Sequence, residues 1–350
     1  MNELSKEDLD HILDHTRDLW EEVRGERIFL TGGTGFFGSW FLESFCWILD
    51  RLSLRASITV LSRNPGEFAA KAPRVAAHPA ISFHSGDVRS FDYPAGTFSH
   101  VIHGATSASW KLNDDDPLLM LDTIVDGTRR TLDFSRNHGT RKFLLTSSGA
   151  VYGPQPPEIT HIPETFLGGP DTMRPSSVYG EGKRVAELLC AIYHRLYGIE
   201  TKIARCFAFV GPHLPLTSHF AIGNFIRDFM SGGPIEVSGD GTPRRSYLYA
   251  ADLMIWLWTV LFAGEVCRPY NVGSDDSLSI SEVASKVAEL RDRPIRVDIK
   301  QSAVEGSPRQ QYVPGTRRIT EELRLDPVIN LTEALKRTIR WHASKEDAAF

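Results

Sequence analysis

Short apolar runs alternate with longer amphipathic stretches over the first two thirds of the chain. The runs Arg27–Thr31, Ser57–Leu61, Ile81–His84, His100–His103, Lys142–Thr146 and Glu200–Cys206 are four to seven residues long and predict strands. Between them lie helical patterns over Phe36–Asp50, Leu118–His138 and Tyr179–Tyr197. Strands separated by helices of a dozen or more residues are βαβ units. They predict an α/β fold with a doubly wound parallel sheet of the Rossmann type, and the continuous apolar strands fit a sheet covered on both faces. Upstream, residues 5–22 form an amphipathic pattern with Leu9, Ile12, Leu13, Leu19 and Trp20 on one face, and Ser5 stands as N-cap before first-turn acids.

From about residue 207 the texture changes. Pro212, Pro215, Gly232-Gly233-Pro234 and Gly239–Pro243 interrupt the chain. Shorter elements follow: a helix over Phe220–Met230, a strand Ile235–Val237, and helices over Ser281–Arg291 and Leu331–Trp341. The expected organisation is an N-terminal helical extension (1–23), a dinucleotide-binding domain (24–206) and a smaller, mainly substrate-binding α/β part (207–350). Segments near 246–275 are expected to return to the main core.

The chain has 350 residues, 41% of them hydrophobic, and a formal net charge of −5, so a nucleic-acid partner is not expected. The four cysteines are dispersed and the histidines form no H-E-x-x-H, so neither a disulfide framework nor a metal site is expected. The start is acidic and has no apolar leader-like core. The most apolar helix, Leu253–Gly264, is shorter than the roughly 20 residues a bilayer span requires. A soluble, cytoplasmic protein without a membrane partner is the expectation.

Three segments carry the chemistry. Thr31-Gly32-Gly33-Thr34-Gly35-Phe36-Phe37-Gly38 follows a strand and opens a helix. There, glycines allow a tight turn and close approach to a pyrophosphate, with the helix N-terminus supplying free N–H groups. Thr146–Gly153 places Ser148 just past a strand, as a hydroxyl donor. Tyr179-Gly180-Glu181-Gly182-Lys183 puts a phenol and a lysine one helical turn apart. A phenol titrates near 10, so a neighbouring ammonium helps it act as a base. Tyr179, Lys183 and Ser148 together point to hydride chemistry at a carbinol carbon with a nicotinamide cofactor. After the second strand stand Ser62 and Arg63: no acid is placed for a ribose 2′-hydroxyl and an arginine is available for a 2′-phosphate, which tilts towards NADP, so the cofactor is NAD or NADP, NAD if the protein is an epimerase. Asp87 and Val88, after the third strand, suit adenine.

On these segments, and on His103-Gly104-Ala105, Gly127-Thr128, Val210-Gly211-Pro212 and Gly239–Asp252, the chain resembles the extended short-chain dehydrogenase/reductases. Within them it is similar to the NAD-dependent epimerase/dehydratase family acting on nucleotide sugars. The resemblance implies Ser148, Tyr179 and Lys183 as the catalytic triad. It implies Gly32, Gly35, Phe36, Phe37, Gly38, Ser62, Arg63, Asp87, Val88, His103, Ala105 and Lys183 as cofactor contacts. Ser107, Asn224, Arg245 and Arg309 become substrate contacts, with Arg245 on the diphosphate, and a homodimer is implied.

The departures are informative. Dehydratases of the family carry ionisable residues directly after the catalytic hydroxyl, and decarboxylases an acid at the second position; here stand Gly149 and Ala150. Ile124 and Ala208 replace common asparagines. The resemblance therefore implies a nucleotide-sugar epimerase that removes hydride transiently from C4 of a nucleoside-diphosphate hexose. An NADPH-dependent reductase of 4-keto-6-deoxy sugars is the alternative. A 4,6-dehydratase or a non-catalytic NAD(P)-binding protein ranks behind both.

Overall fold

The computed structural model describes residues 2–106, 115–218, 220–304, 306 and 310–343. Seven parallel strands form its centre: β1 (Arg27–Thr31), β2 (Ser57–Ser62), β3 (Ile81–Ser85), β4 (His100–His103), β5 (Lys142–Ser148), β6 (Glu200–Cys206) and, much later in the chain, an edge strand Pro269–Val272. The edge strand lies beside β6, and the order continues β5, β4, β1, β2, β3. The order reverses between β4 and β1, which opens a crevice at the carboxyl ends of those strands. Strands β1, β2, β4 and β5 are almost wholly buried, as expected where helices cover both faces.

Four long helices follow the predicted pattern: α1 (Lys6–Thr16), α2 (Phe36–Leu52), α3 (Pro117–Asn137) and α4 (Val178–Tyr197). Most boundaries fall within two residues of the sequence expectation, and two differences matter. The first helix ends at Thr16 and continues as a 3-10 segment, Arg17–Val23. Strand β5 runs two residues past Thr146, because Ser147 and Ser148 pair with Arg205 and Cys206 of β6. That extension keeps Ser148 on the rigid sheet rather than on a loop.

Helix α1 is capped by Ser5, whose Oγ accepts from Asp8 N at 3.1 Å. Its apolar face packs on α2 and on α5 (Ala250–Ala263), a helix buried almost all round. Buried Asp8 accepts from Tyr249 Oη at 2.9 Å and from Arg337 at 2.7 Å, and His11 Nε2 lies 2.8 Å from Asp252 Oδ1. Trp20 is fully buried, its ring centroid 4.7 Å from that of Trp258. These polar anchors and the aromatic seam join the first 23 residues to the core that carries the sheet.

Beyond β6 the smaller elements gather over the carboxyl edge of the sheet. A three-stranded sheet holds β7 (Arg244–Arg245) between Leu278–Ser279 and β8 (Gln311–Tyr312), with Tyr312 paired to Arg245. The helix Ile280–Ala288 begins with a full capping box between Ser279 and Glu282.

Candidate active site

The glycine turn runs from β1 into α2. Gly32 has φ +76°, and a Cβ there would meet the Gly104 carbonyl carbon at 2.5 Å. A Cβ on Gly38 would meet the Gly33 backbone at 2.2 Å, so the first turn of α2 packs directly on the loop. Gly35 is the N-cap and has no side-chain cap bond, and a built Cβ there would make only an ordinary contact, 3.6 Å from the Gly32 carbonyl oxygen. The first N–H groups of the 17-residue helix α2 are therefore presented to the crevice. This cradle fits the pyrophosphate of a dinucleotide.

Thr31 Oγ1 accepts from Ala105 N at 3.1 Å and lies 2.9 Å from His103 Nδ1. His103 Nε2 is 3.1 Å from Thr128 Oγ1, which itself donates to the Ile124 carbonyl. Thr128 must then accept from Nε2–H, and Nδ1 accepts from Thr31. Burial pushes the imidazole down to about 3, so His103 is a neutral strut across the crevice floor.

Ser62 is buried at the end of β2, and its Oγ accepts from Asn64 N at 3.2 Å. Arg63 is exposed beside it. Asp87 holds Arg89 in a two-point bond of 2.9 and 3.1 Å, which keeps its carboxyl below the ordinary range. Val88 packs where a Cβ on Gly127 would stand, 3.0 Å from it. Phe36 and Phe37 are half-buried at the start of α2, with Phe37 edge-on to Phe209.

Ser148 ends β5, and its Oγ accepts from Ala150 N at 3.1 Å. Tyr179, in the first turn of α4, lies near enough to Ser148 for its hydroxyl to influence the phenol. Lys183, one turn on, donates from Nζ to the Thr146 carbonyl at 2.9 Å, and its Nζ lies 5.9 Å from the centre of the Tyr179 ring. Burial pushes Tyr179 up to about 12, although the Ser148 hydrogen bond opposes this, and burial lowers Lys183 to about 8. Each buried group alone disfavours its charge. Forming phenolate and ammonium together lets each offset the other's desolvation.

Arg245 is half-buried, and its Nη1 donates to the Arg244 carbonyl at 2.8 Å. No carboxylate among the described residues pairs with it, and burial lowers its pKa from the ordinary guanidinium value. It is a desolvated cation suited to an anionic group. Asn224 sits on the helix Ala221–Met230 and accepts from Arg227 at 3.1 Å. Ser107 and Arg309 lie outside the described residues.

Two residues of this region were not singled out by sequence reasoning. Glu187, a further turn along α4 from Lys183, accepts from Arg205 Nη2 at 2.6 Å and from Ser147 Oγ at 2.5 Å. Arg205 also donates to Tyr152 Oη at 2.9 Å, and Tyr152 donates to Asn271 Oδ1 at 2.7 Å. Burial opposes the charge on Arg205, yet Glu187 and Tyr152 hold it above its ordinary value. The second residue is Tyr312, whose Oη lies 3.4 Å from Ser148 Oγ. The Glu187 spacing from Lys183 was legible as an i+4 step. Tyr312 arrives on a two-residue strand and had no local pattern to mark it. Ile124, which replaces a common asparagine, fills the gap over Gly182, where a Cβ would meet it at 3.2 Å.

Fold and site together place a glycine turn at the sheet's switch point and a phenol–lysine pair on the helix beside β5. The family described as the NAD dependent epimerase/dehydratase family matches residues 28–273. The chain is 31% identical over 313 residues to UDP-glucuronic acid decarboxylase 6 of Arabidopsis thaliana, covering 88% of this chain and 86% of the relative. The fold matches UDP-glucose 4-epimerase of Thermotoga maritima with a TM-score of 0.75 at 20% identity, covering 92% of this chain and all (100%) of that one. It also matches dTDP-glucose 4,6-dehydratase of Streptomyces venezuelae with a TM-score of 0.76 at 24% identity, covering 91% and 97%. The chain belongs to the NAD-dependent epimerase/dehydratase family, whose members are nucleotide-sugar-modifying enzymes of the extended short-chain dehydrogenase/reductases. The family is NAD-dependent. Among the described residues no helix is long and apolar enough to cross a membrane.

Proposed function

We propose that the protein is a nucleotide-sugar 4-epimerase. The observation that carries this reading is the pair after the catalytic hydroxyl: neither Gly149 nor Ala150 has a proton to give or take. Dehydration needs a group to remove the C5 proton and a group to protonate the leaving hydroxyl. The side-chain space of residue 149 is instead filled by the Phe207 ring, 2.7 Å from a built Cβ, and by the Tyr312 hydroxyl at 2.8 Å.

The residues divide the work simply. Arg245 binds the diphosphate, and Ser148 holds the C4 oxygen. Tyr179 takes the C4 hydroxyl proton, with Lys183 balancing its charge. NAD, when bound in the cradle, supplies the hydride acceptor and donor. Once the 4-keto sugar has presented its other face, Tyr179 returns the proton to the same oxygen. The similarity to UDP-glucuronic acid decarboxylases supports a nucleotide-sugar substrate and leaves the product to the residues at 149 and 150.

The second reading, an NADPH-dependent 4-keto-sugar reductase, is favoured by Arg63, exposed at the end of β2 with no acid at the ribose position. The purified protein separates the two. Tightly bound NAD released on denaturation supports the epimerase. Protein that emerges free of dinucleotide and binds NADPH in preference to NAD makes it a reductase.

A homodimer belongs to the same proposal. Val185, Leu188, Ile192 and Leu196 are all exposed along α4, at steps of three and four residues. A monomer in sedimentation at micromolar concentration would refute it.

A further inference from the structure

One hydroxyl at the reacting centre has no role in the steps above. Tyr312, on β8, sits opposite Arg245 in register, so the strand pair that carries the anion-binding arginine also carries a phenol into the centre. Its Oη is 3.4 Å from Ser148 Oγ and 3.5 Å from the Cys206 carbonyl. Its ring packs on Phe207 with centroids 4.7 Å apart. Its hydroxyl occupies the space a side chain on residue 149 would enter.

The proton count at Ser148 gives this contact a direction. A serine hydroxyl has one proton and two acceptor sites. Ala150 N–H occupies one acceptor site. When Tyr179 works as the base it is an acceptor, and the nearby hydroxyl that can serve it is Ser148, through its single proton. The second acceptor site of Ser148 is then open to the Tyr312 O–H. Burial raises Tyr312 above the usual phenol range, so it keeps its proton; with the Ser148 proton turned to Tyr179, the Tyr312 hydroxyl is the donor of this pair, the Cys206 carbonyl at 3.5 Å being the other acceptor in its reach. The groups facing Tyr312 are Ser148, Tyr179, Cys206 and the Arg245 guanidinium, the last 5.9 Å from the ring centre. Those facing Tyr179 are Ser148, Cys206, Lys183 and Tyr312 itself.

We propose that Tyr312 is a positioning residue of the catalytic centre, donating to Ser148 Oγ and thereby aiming the single Ser148 proton into the centre, at Tyr179 when no sugar is bound and at the reacting sugar oxygen when it is. A residue delivered from the smaller sheet thus completes the polar frame at the place where residue 149 has no side chain. The inference rests on the proposed roles of Ser148 and Tyr179, and not on which product the enzyme releases.

The test is an ultraviolet titration of phenolate in the NAD-loaded protein, without sugar. The Tyr179 component is obtained by subtracting the Tyr179→Phe variant. Tyr312→Phe should raise the Tyr179 midpoint by about one pH unit, a tenfold loss of phenolate stabilisation. Ser148→Ala should raise it at least as far, and adding Tyr312→Phe to Ser148→Ala should produce no further shift. Gly149→Ala keeps the phenol but drives it off Ser148, and should give the same upward shift. A midpoint unmoved by Tyr312→Phe and by Gly149→Ala overturns the proposal, as does an equal shift with and without Ser148. If the subtraction shows no Tyr179 titration, the catalytic reading of Tyr179 itself fails and the inference falls with it.

Discussion

Glu187→Gln is the sharpest perturbation of the frame beneath Ser148 and Lys183. Glu187 and Arg205 are 12% and 14% exposed, and their contact is a two-point one, with Arg205 Nε to Oε1 at 3.0 Å and Nη2 to Oε2 at 2.6 Å. Glutamine keeps the shape and removes the charge, leaving a buried guanidinium whose remaining partner is Tyr152. Breaking a buried pair from one side costs about 3 to 5 kcal/mol, and the partial exposure favours the lower end. For a chain of 350 residues the unfolding entropy is roughly 2.1 cal/mol/K per residue, about 0.7 kcal/mol/K in total. A loss of about 3 kcal/mol therefore lowers Tm by about 4 °C. Scanning calorimetry reads this directly. The double variant Glu187→Met with Arg205→Met should recover most of the loss, because it strands neither charge. A Tm unchanged in Glu187→Gln, or strictly additive losses in the double variant, would refute the claim that this pair holds β5, β6 and α4 together.

Three further outcomes follow from the same geometry. Tyr179→Phe should lower kcat about 100-fold or more while NAD affinity, measured by calorimetry, stays within about twofold; a turnover rate close to wild type would contradict the role of Tyr179. Arg245→Ala should weaken UDP binding about 10- to 100-fold, and unchanged affinity would remove Arg245 from the diphosphate site. Glu22 links the 3-10 segment to the sheet: burial alone would raise its pKa, but His100 and Lys142 hold it down to about 2 from 4.5. Its contribution is present above pH 4.5 and is lost as pH falls from 4.5 to 2. At 31% exposure this amounts to about 1 to 2 kcal/mol. Glu22→Gln should therefore flatten the acid limb of the stability curve in that window, and superimposable acid limbs would contradict the pairing.

The centre of the sheet was readable because strands such as β1 are buried on both faces and carry an apolar run; Ile28, Phe29 and Leu30 are almost wholly inaccessible. The glycine turn was readable because its demands are local: the Gly32 backbone angle and the Gly38 contact with Gly33 fall within one loop. The end of β5 was not. Nothing in Ser147-Ser148 favours a strand, and the pairing comes from β6, over fifty residues downstream. The first helix was read as continuing to residue 22, whereas the chain tightens after Thr16, whose Oγ1 donates back to the Ile12 carbonyl at 2.7 Å. Tyr312 was hidden for a different reason. Its meaning depends on Phe207, Gly149 and Ser148, which only the folded chain brings beside it.

The most direct measurement is product analysis in deuterated water. The NAD-loaded enzyme is incubated with UDP-glucuronic acid, UDP-glucose and dTDP-glucose, and the sugars are read by proton NMR. With no ionisable group at 149 or 150, the account predicts a C4 epimer that retains its C5 proton and its full carbon skeleton. A pentose product, or a 4-keto-6-deoxy sugar carrying deuterium at C5, would contradict it.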